Sequence, residues 1–178
     1  MGKTRTFVVA DAGPIIHLDE LGCLDILQDF EQVSVPEAVW LEIRHHRPQA
    51  LNAFAALLVR VSPGTLSPLV TALTPLYTLH HGEQEALHCC MESRDSLLLT
   101  DDTAARLAAK ALGIAAHGTL GLLVRAIRQK TRSQRDVLTL LRAIPTRTTL
   151  HIRSSLLTEV INVVEASDSA ADMLHPES

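Results

Sequence analysis

Two short aliphatic runs constrain this chain more than any other feature. VVA at 8–10 and LLL at 97–99 each stop on an acidic turn, DAGP and TDDT, and pass directly into a helix-patterned segment. Apolar runs this short and unbroken by polar alternation are strands buried on both faces. Strands that alternate with helices build a parallel sheet. The composition agrees with such a core, since 47% of residues are hydrophobic and only 3% aromatic, leaving leucine, valine, isoleucine and alanine to fill it. A length of 178 residues suits one core rather than two.

The remaining segments extend the alternation. Gly22 breaks IIHLDELGCLDILQDF into two short helices, QVSV reads as a second strand, and PEAVWLEIRHH as a helix with proline in its first turn. ALNAFAALLVRV is patterned as a further helix, whereas 61–79, interrupted by Pro63, Pro68 and Pro75, supports no assignment. HHGEQEALHCCMES is helical, SLLLT a strand, DDTAARLAAKALG a helix closed by glycine, and IAAH a strand. TLGLLVRAIRQK and SQRDVLTLLRAI are amphipathic helices, the second capped by Ser133, and LHIRSSLLTEVINVVE is a final strand or helix. The expected fold is α/β, a central parallel sheet flanked by helices, over a single domain at 1–165. An acidic, mobile tail is expected at 166–178.

No apolar run approaches the ~20 residues that span a bilayer, and the N-terminus has no signal-peptide pattern, which predicts a cytoplasmic protein without a membrane partner. Cys23, Cys89 and Cys90 form no CxxC pair and read as reduced core residues. The net charge of -4 conceals a strong asymmetry: between 104 and 158 ten Lys or Arg face one acid, Asp136. A basic face on an otherwise acidic molecule points to a polyanionic partner.

Ligand crevices of open α/β sheets lie at the carboxyl ends of the strands, where Asp11, Asp101 and Asp102 fall. Glu42 lies in a helix that would flank that edge, as do Glu85 and, on the turn before it, Glu83. Each acid taken singly reads equally well as a helix cap or an exposed side chain. Gathered together, Asp11, Glu42, Glu85 and Asp102 would repel one another unless a cation neutralised them. Oxygen ligands select Mg²⁺ or Mn²⁺, with which water can attack phosphorus. A weaker alternative is zinc on His81, Glu85 and His88, which share a helix face but lack an HExxH order. Phosphoaspartate chemistry is disfavoured because DAGP has no second aspartate two residues after Asp11.

The ordered set of motifs resembles the PIN-domain nucleases, in particular the branch related to VapC-type toxins of toxin-antitoxin pairs. VVADAGPIIHLDELGCLDIL is similar to that family's opening D-x-x-P-[LI]-I and leucine-rich helix pair, and VPEAVWLEI to its second strand and acidic helix. HHGEQEALHCC, LLLTDDTAARLAAKALGI and GTLGLLVRAIRQK resemble its glycine-glutamate segment, its TxD or DD turn and its G-T-x-G-[LV]-L helix, so that the likeness covers about 7–145. The resemblance implies a PIN-like three-layer fold and a metal-dependent endoribonuclease. Its metal-binding and catalytic acids would be Asp11, Glu42, Glu85 and Asp102, supported by Thr100, Asp101 and Glu83. Which of Asp101 and Asp102 meets the metal stays open at this point. RNA would be gripped by Arg106, Lys110, Arg125, Arg128 and Lys130. The toxin branch further implies an antitoxin partner and a homodimer.

One departure matters. Many relatives carry Ser or Thr directly after the first aspartate, and here Ala12 and Gly13 offer no hydroxyl. The competing reading is therefore a catalytically weakened PIN-like module that binds RNA or protein.

Overall fold

The computed structural model describes residues 6–172. Strand β1 (Phe7–Ala10) leads into α1 (Ala12–Leu21), which ends at Gly22 in the left-handed conformation (φ 72°), followed by a 3-10 turn at Leu24–Asp29. β2 (Val33–Pro36) passes without a loop into α2 (Glu37–His46), so that Pro36 closes the strand rather than opening the helix. The short α3 (Pro48–Ala53) and β3 (Leu58–Val61) together replace the single helix expected over ALNAFAALLVRV. Leu58 to Val61 pair with Val33 to Pro36, and ladder hydrogen bonds override a local pattern that suits either state. The unassigned 61–79 stretch contains α4 (Pro68–Tyr77), capped by Ser67 and carrying Pro68 in its first turn.

α5 (His81–Met91), β4 (Ser96–Leu99), α6 (Thr103–Ala111) and β5 (Ala115–His117) follow, then α7 (Thr119–Arg128) and α8 (Gln134–Arg147). The Ser133 hydroxyl accepts from Asp136 N at 3.1 Å, making it the cap of α8. α9 (Ser154–Asp172) is the helical alternative for the last segment and runs into the part of the chain read as a tail. The rest of that tail, 173–178, lies outside the described residues. No described helix is long and apolar enough to cross a membrane.

All five strands are parallel, in the order β3-β2-β1-β4-β5, with helices on both faces of the sheet. Side chains alternate across it. Val8, Ala10, Val35 and Leu99 join α1, α2, α7 and α8 in the larger core, whereas Val9 and Leu98 face α5 and α6 in the smaller one. Cys23, Cys89 and Cys90 are buried free thiols, and burial pushes all three to about 11 or 12. The chain order reverses direction between β1 and β4, and at such a switch point the loops leaving neighbouring strands diverge to opposite faces and open a crevice.

Candidate active site

β1 and β4 are paired in register from Phe7↔Ser96 to Ala10↔Leu99, so the next residues, Asp11 and Thr100, arrive side by side at the switch point. Asp11 N donates to Leu99 O at 2.8 Å, continuing the ladder one step. Asp11 also caps α1. Its Oδ1 accepts from Ala12 N at 2.9 Å, and its Oδ2 accepts the hydroxyl of the fully buried Thr100 at 2.9 Å. Burial drives the Asp11 carboxyl up from 3.8 to about 6. The two hydrogen bonds oppose that shift, and the charges of Glu83 and Glu42 add to it.

The two adjacent aspartates divide their work. Asp101 Oδ1 accepts from Thr119 N at 2.7 Å, while its Oδ2 accepts from Thr119 Oγ1 at 2.6 Å and lies 2.8 Å from His17 Nδ1. Both its oxygens are thus committed to protein partners. Asp102 caps α6, its Oδ1 accepting from Ala105 N at 2.8 Å, and among the described residues its Oδ2 has no hydrogen-bond partner. Gly118 allows this packing, because a Cβ there would stand 2.6 Å from Asp101 Oδ1 and 3.0 Å from Arg106 Nη1.

The acids of α5 part company. Two residues apart on a helix they point about 200° from one another, so one face cannot present both. Glu83 lines the crevice, accepts from His80 N at 2.8 Å, and is raised above the usual carboxylate range by burial, with the Asp102 charge adding. Glu85 is not among the crevice residues. Its Oε2 accepts from Ala38 N at 2.7 Å, which satisfies the N-terminus of α2, and its Oε1 lies 3.7 Å from His81 Nε2. The pairing foreseen from sequence, Glu85 at the site and Glu83 in support, is therefore exchanged in where the two side chains point. Glu42 lies on the exposed side of α2 and lines the opening.

The crevice has a volume of about 450 Å³ and is bounded by Asp11, Glu42, Glu83, Asp101 and Asp102 among others. Its far wall is the 149–151 segment, anchored where Thr149 N donates to Glu20 at 2.8 Å. Three contributors escaped the sequence reading: His17, Thr119 and this strap. GTLG signalled a helix start without showing that its threonine holds Asp101. A single histidine in the apolar stretch IIHL was the only trace of His17.

Carboxylate oxygen is the donor chemistry that suits a hard divalent cation, and the buried, elevated Asp11 is a group that such a cation would stabilise. Among the described residues no three His, Cys, Asp or Glu side chains stand close enough to share one ion. That spacing still fits magnesium chemistry, in which one or two carboxylates hold the ion together with waters and substrate phosphate. It offers nothing to the zinc alternative, and His88 Nδ1 is engaged by Ser67 N at 3.1 Å.

The basic residues also separate. Arg125 is ion-paired to Asp29 at 2.8 Å and stacks over Phe30 at 4.8 Å, which ties it to the 3-10 turn. Arg132 and Arg142 pair with Asp25 and Glu165. Arg106, Lys110, Arg128 and Lys130 are exposed, and none is ion-paired among the described residues.

No curated protein and no solved structure matches the chain. A family model described as "PIN domain" matches residues 7–166, which takes in every strand and every acid of the crevice. PIN domains are generally nucleases, and they typically use divalent metals. The parallel sheet, the acids at its switch point and this match lead to one conclusion: the chain belongs to the PIN-domain family.

Proposed function

We propose that the protein is a Mg²⁺- or Mn²⁺-dependent endoribonuclease of the VapC-like branch. The observation that carries this reading is the crevice at the β1/β4 switch point, where the buried carboxylate of Asp11 shares one opening with Glu42, Glu83 and Asp102. Bound there, the cation would supply charge neutralisation for the attacked phosphate. Asp11 and the free oxygen of Asp102 would hold it, and Glu83 and Glu42, which line the same opening, would order its waters. Thr100 fixes the Asp11 carboxylate by its hydroxyl, and Glu85 supports the site indirectly by anchoring α2. Arg106, Lys110, Arg128 and Lys130 would bind backbone phosphates outside the crevice.

The weakened binding module remains the second reading, favoured by Ala12, which places a methyl group where a hydroxyl would stand beside Asp11. Cleavage of a panel of transfer and ribosomal RNAs in Mg²⁺ or Mn²⁺ separates the two. Cutting that disappears in Asp11→Asn supports the nuclease, whereas RNA binding without cutting by the wild type supports the module.

The toxin role adds an antitoxin partner that would set an arginine or lysine against the crevice carboxylates, and a homodimer. Co-purification of a partner that blocks cleavage, together with a dimer mass in solution, is the expected result.

A further inference from the structure

His17 lines the crevice, and the carboxylate chemistry leaves it unused. It projects from α1 and lines the same opening as Asp11, and its side chain is 12% exposed. Its Nδ1 lies 2.8 Å from Asp101 Oδ2, and Asp101 is itself clamped by the backbone N–H and the hydroxyl of Thr119. A carboxylate held on both oxygens cannot swing, so the ring it holds has one orientation. That interaction assigns the Nδ1 proton and leaves Nε2, which has no hydrogen-bond partner among the described residues, as the working nitrogen. The other crevice histidines lack this construction: His80 is 85% exposed and 3.5 Å from Glu83, and His151 is exposed on the strap.

Hydrolysis of a phosphodiester has two ends. Acids and cation serve the attacking water and the phosphate, and the leaving ribose oxygen needs a proton as its bond to phosphorus breaks. We propose that His17, oriented by Asp101, is the general acid that supplies that proton, a role that rests on the nuclease reading above. In this step a water oxygen forms a bond to phosphorus while the P–O bond to the leaving oxygen breaks. The leaving oxygen keeps that bond's electron pair and takes the proton from Nε2. The proton lost by the attacking water passes to solvent, from which His17 is reprotonated. Asp101 touches no reacting atom and is a positioning residue, and Thr119 holds it in place.

The test uses the full chain with Mg²⁺ or Mn²⁺ and a short RNA spanning a mapped cleavage site, synthesised with the natural leaving oxygen or with sulfur in its place. Sulfur leaves readily as the anion and needs no acid. His17→Asn keeps an amide donor for Asp101 without a transferable proton, and His17→Gln serves as a second variant if the first fails to fold. The expected result is a loss of roughly 10²-fold or more on the oxygen substrate and of less than about threefold on the sulfur substrate. Asp101→Asn is expected to show the same selective loss in smaller degree. Equal losses on both substrates, or none on the oxygen substrate, overturn the acid role while leaving the nuclease standing. A wild-type protein that cuts neither substrate overturns the nuclease reading and the acid with it.

Discussion

The Thr100 hydroxyl donates to Asp11 Oδ2 at 2.9 Å and joins the carboxyl ends of β1 and β4, while Thr100 Oγ1 itself accepts from Asp102 N at 3.2 Å. One buried hydroxyl therefore sets the position of two crevice acids. Thr100→Val keeps the shape and removes both hydrogen bonds. Cleavage is expected to fall roughly 10- to 100-fold, the range found when partners of metal-ligating groups are removed, and divalent-cation affinity should fall in parallel. Single-turnover rates measured against cation concentration check this.

Asp11 is protonated in the cation-free folded protein up to about pH 6, against 3.8 when unfolded. The folded state thus binds this proton more tightly, so its contribution to stability is complete below about pH 4 and is lost as pH rises through 6. Asp11→Asn should therefore be more stable than wild type at pH 8 in a chelator, by up to on the order of 3 kcal/mol, and melt at a higher temperature. The difference should close by pH 4. Added Mn²⁺ should raise the wild-type midpoint more than the variant's, because the variant offers the cation one carboxylate in place of two. Thermal melts across pH, with and without cation, give all three comparisons.

Glu83 and Glu85 are expected to fail differently. Glu85→Ala uncovers Ala38 N at the start of α2 and should cost about 1–2 kcal/mol of stability. Glu83→Gln removes a carboxylate from the crevice and should lower cleavage at permissive temperature more than it lowers stability. Denaturant unfolding alongside activity on RNA distinguishes the two patterns, and a larger activity loss in Glu85→Gln than in Glu83→Gln would overturn the proposal that Glu83 is the crevice acid of α5.

Arg125 should behave as a structural residue. Arg125→Ala removes an ion pair and a stacked guanidinium, so it should destabilise the fold and leave the salt dependence of RNA binding unchanged. Arg128→Ala and Lys130→Ala should leave stability within about 0.5 kcal/mol. If each contacts one phosphate, each should reduce the slope of log affinity against log salt by about 1. RNA titrations over a range of salt concentrations report both.

The strand-turn-helix punctuation made much of this molecule legible. Short aliphatic runs, the stop at Gly22 and the cap at Ser133 are local chemistry, and local chemistry can be read from order and spacing alone. β3 was not legible in that way. LLVRV suits a helix as well as a strand, and pairing with β2 decided between them. The prolines of 61–79 likewise hid α4, although Pro68 sits in its first turn, where a missing N–H does no harm.

At the crevice the sequence by itself determined which residue types end β1 and β4, hence that carboxylates and a hydroxyl meet wherever those two strands pair. Only the tertiary structure decided which acid faces which neighbour. The side chains of Glu83 and Glu85 diverge by helix geometry, and the packing of α5 against the sheet and α2 decides that one meets the crevice and the other Ala38 N. Asp101 turns to Thr119 and His17, residues 18 and 84 positions away. Such choices depend on which distant N–H or O–H is left unsatisfied at each point of the packed molecule, and spacing along the chain carries no record of that.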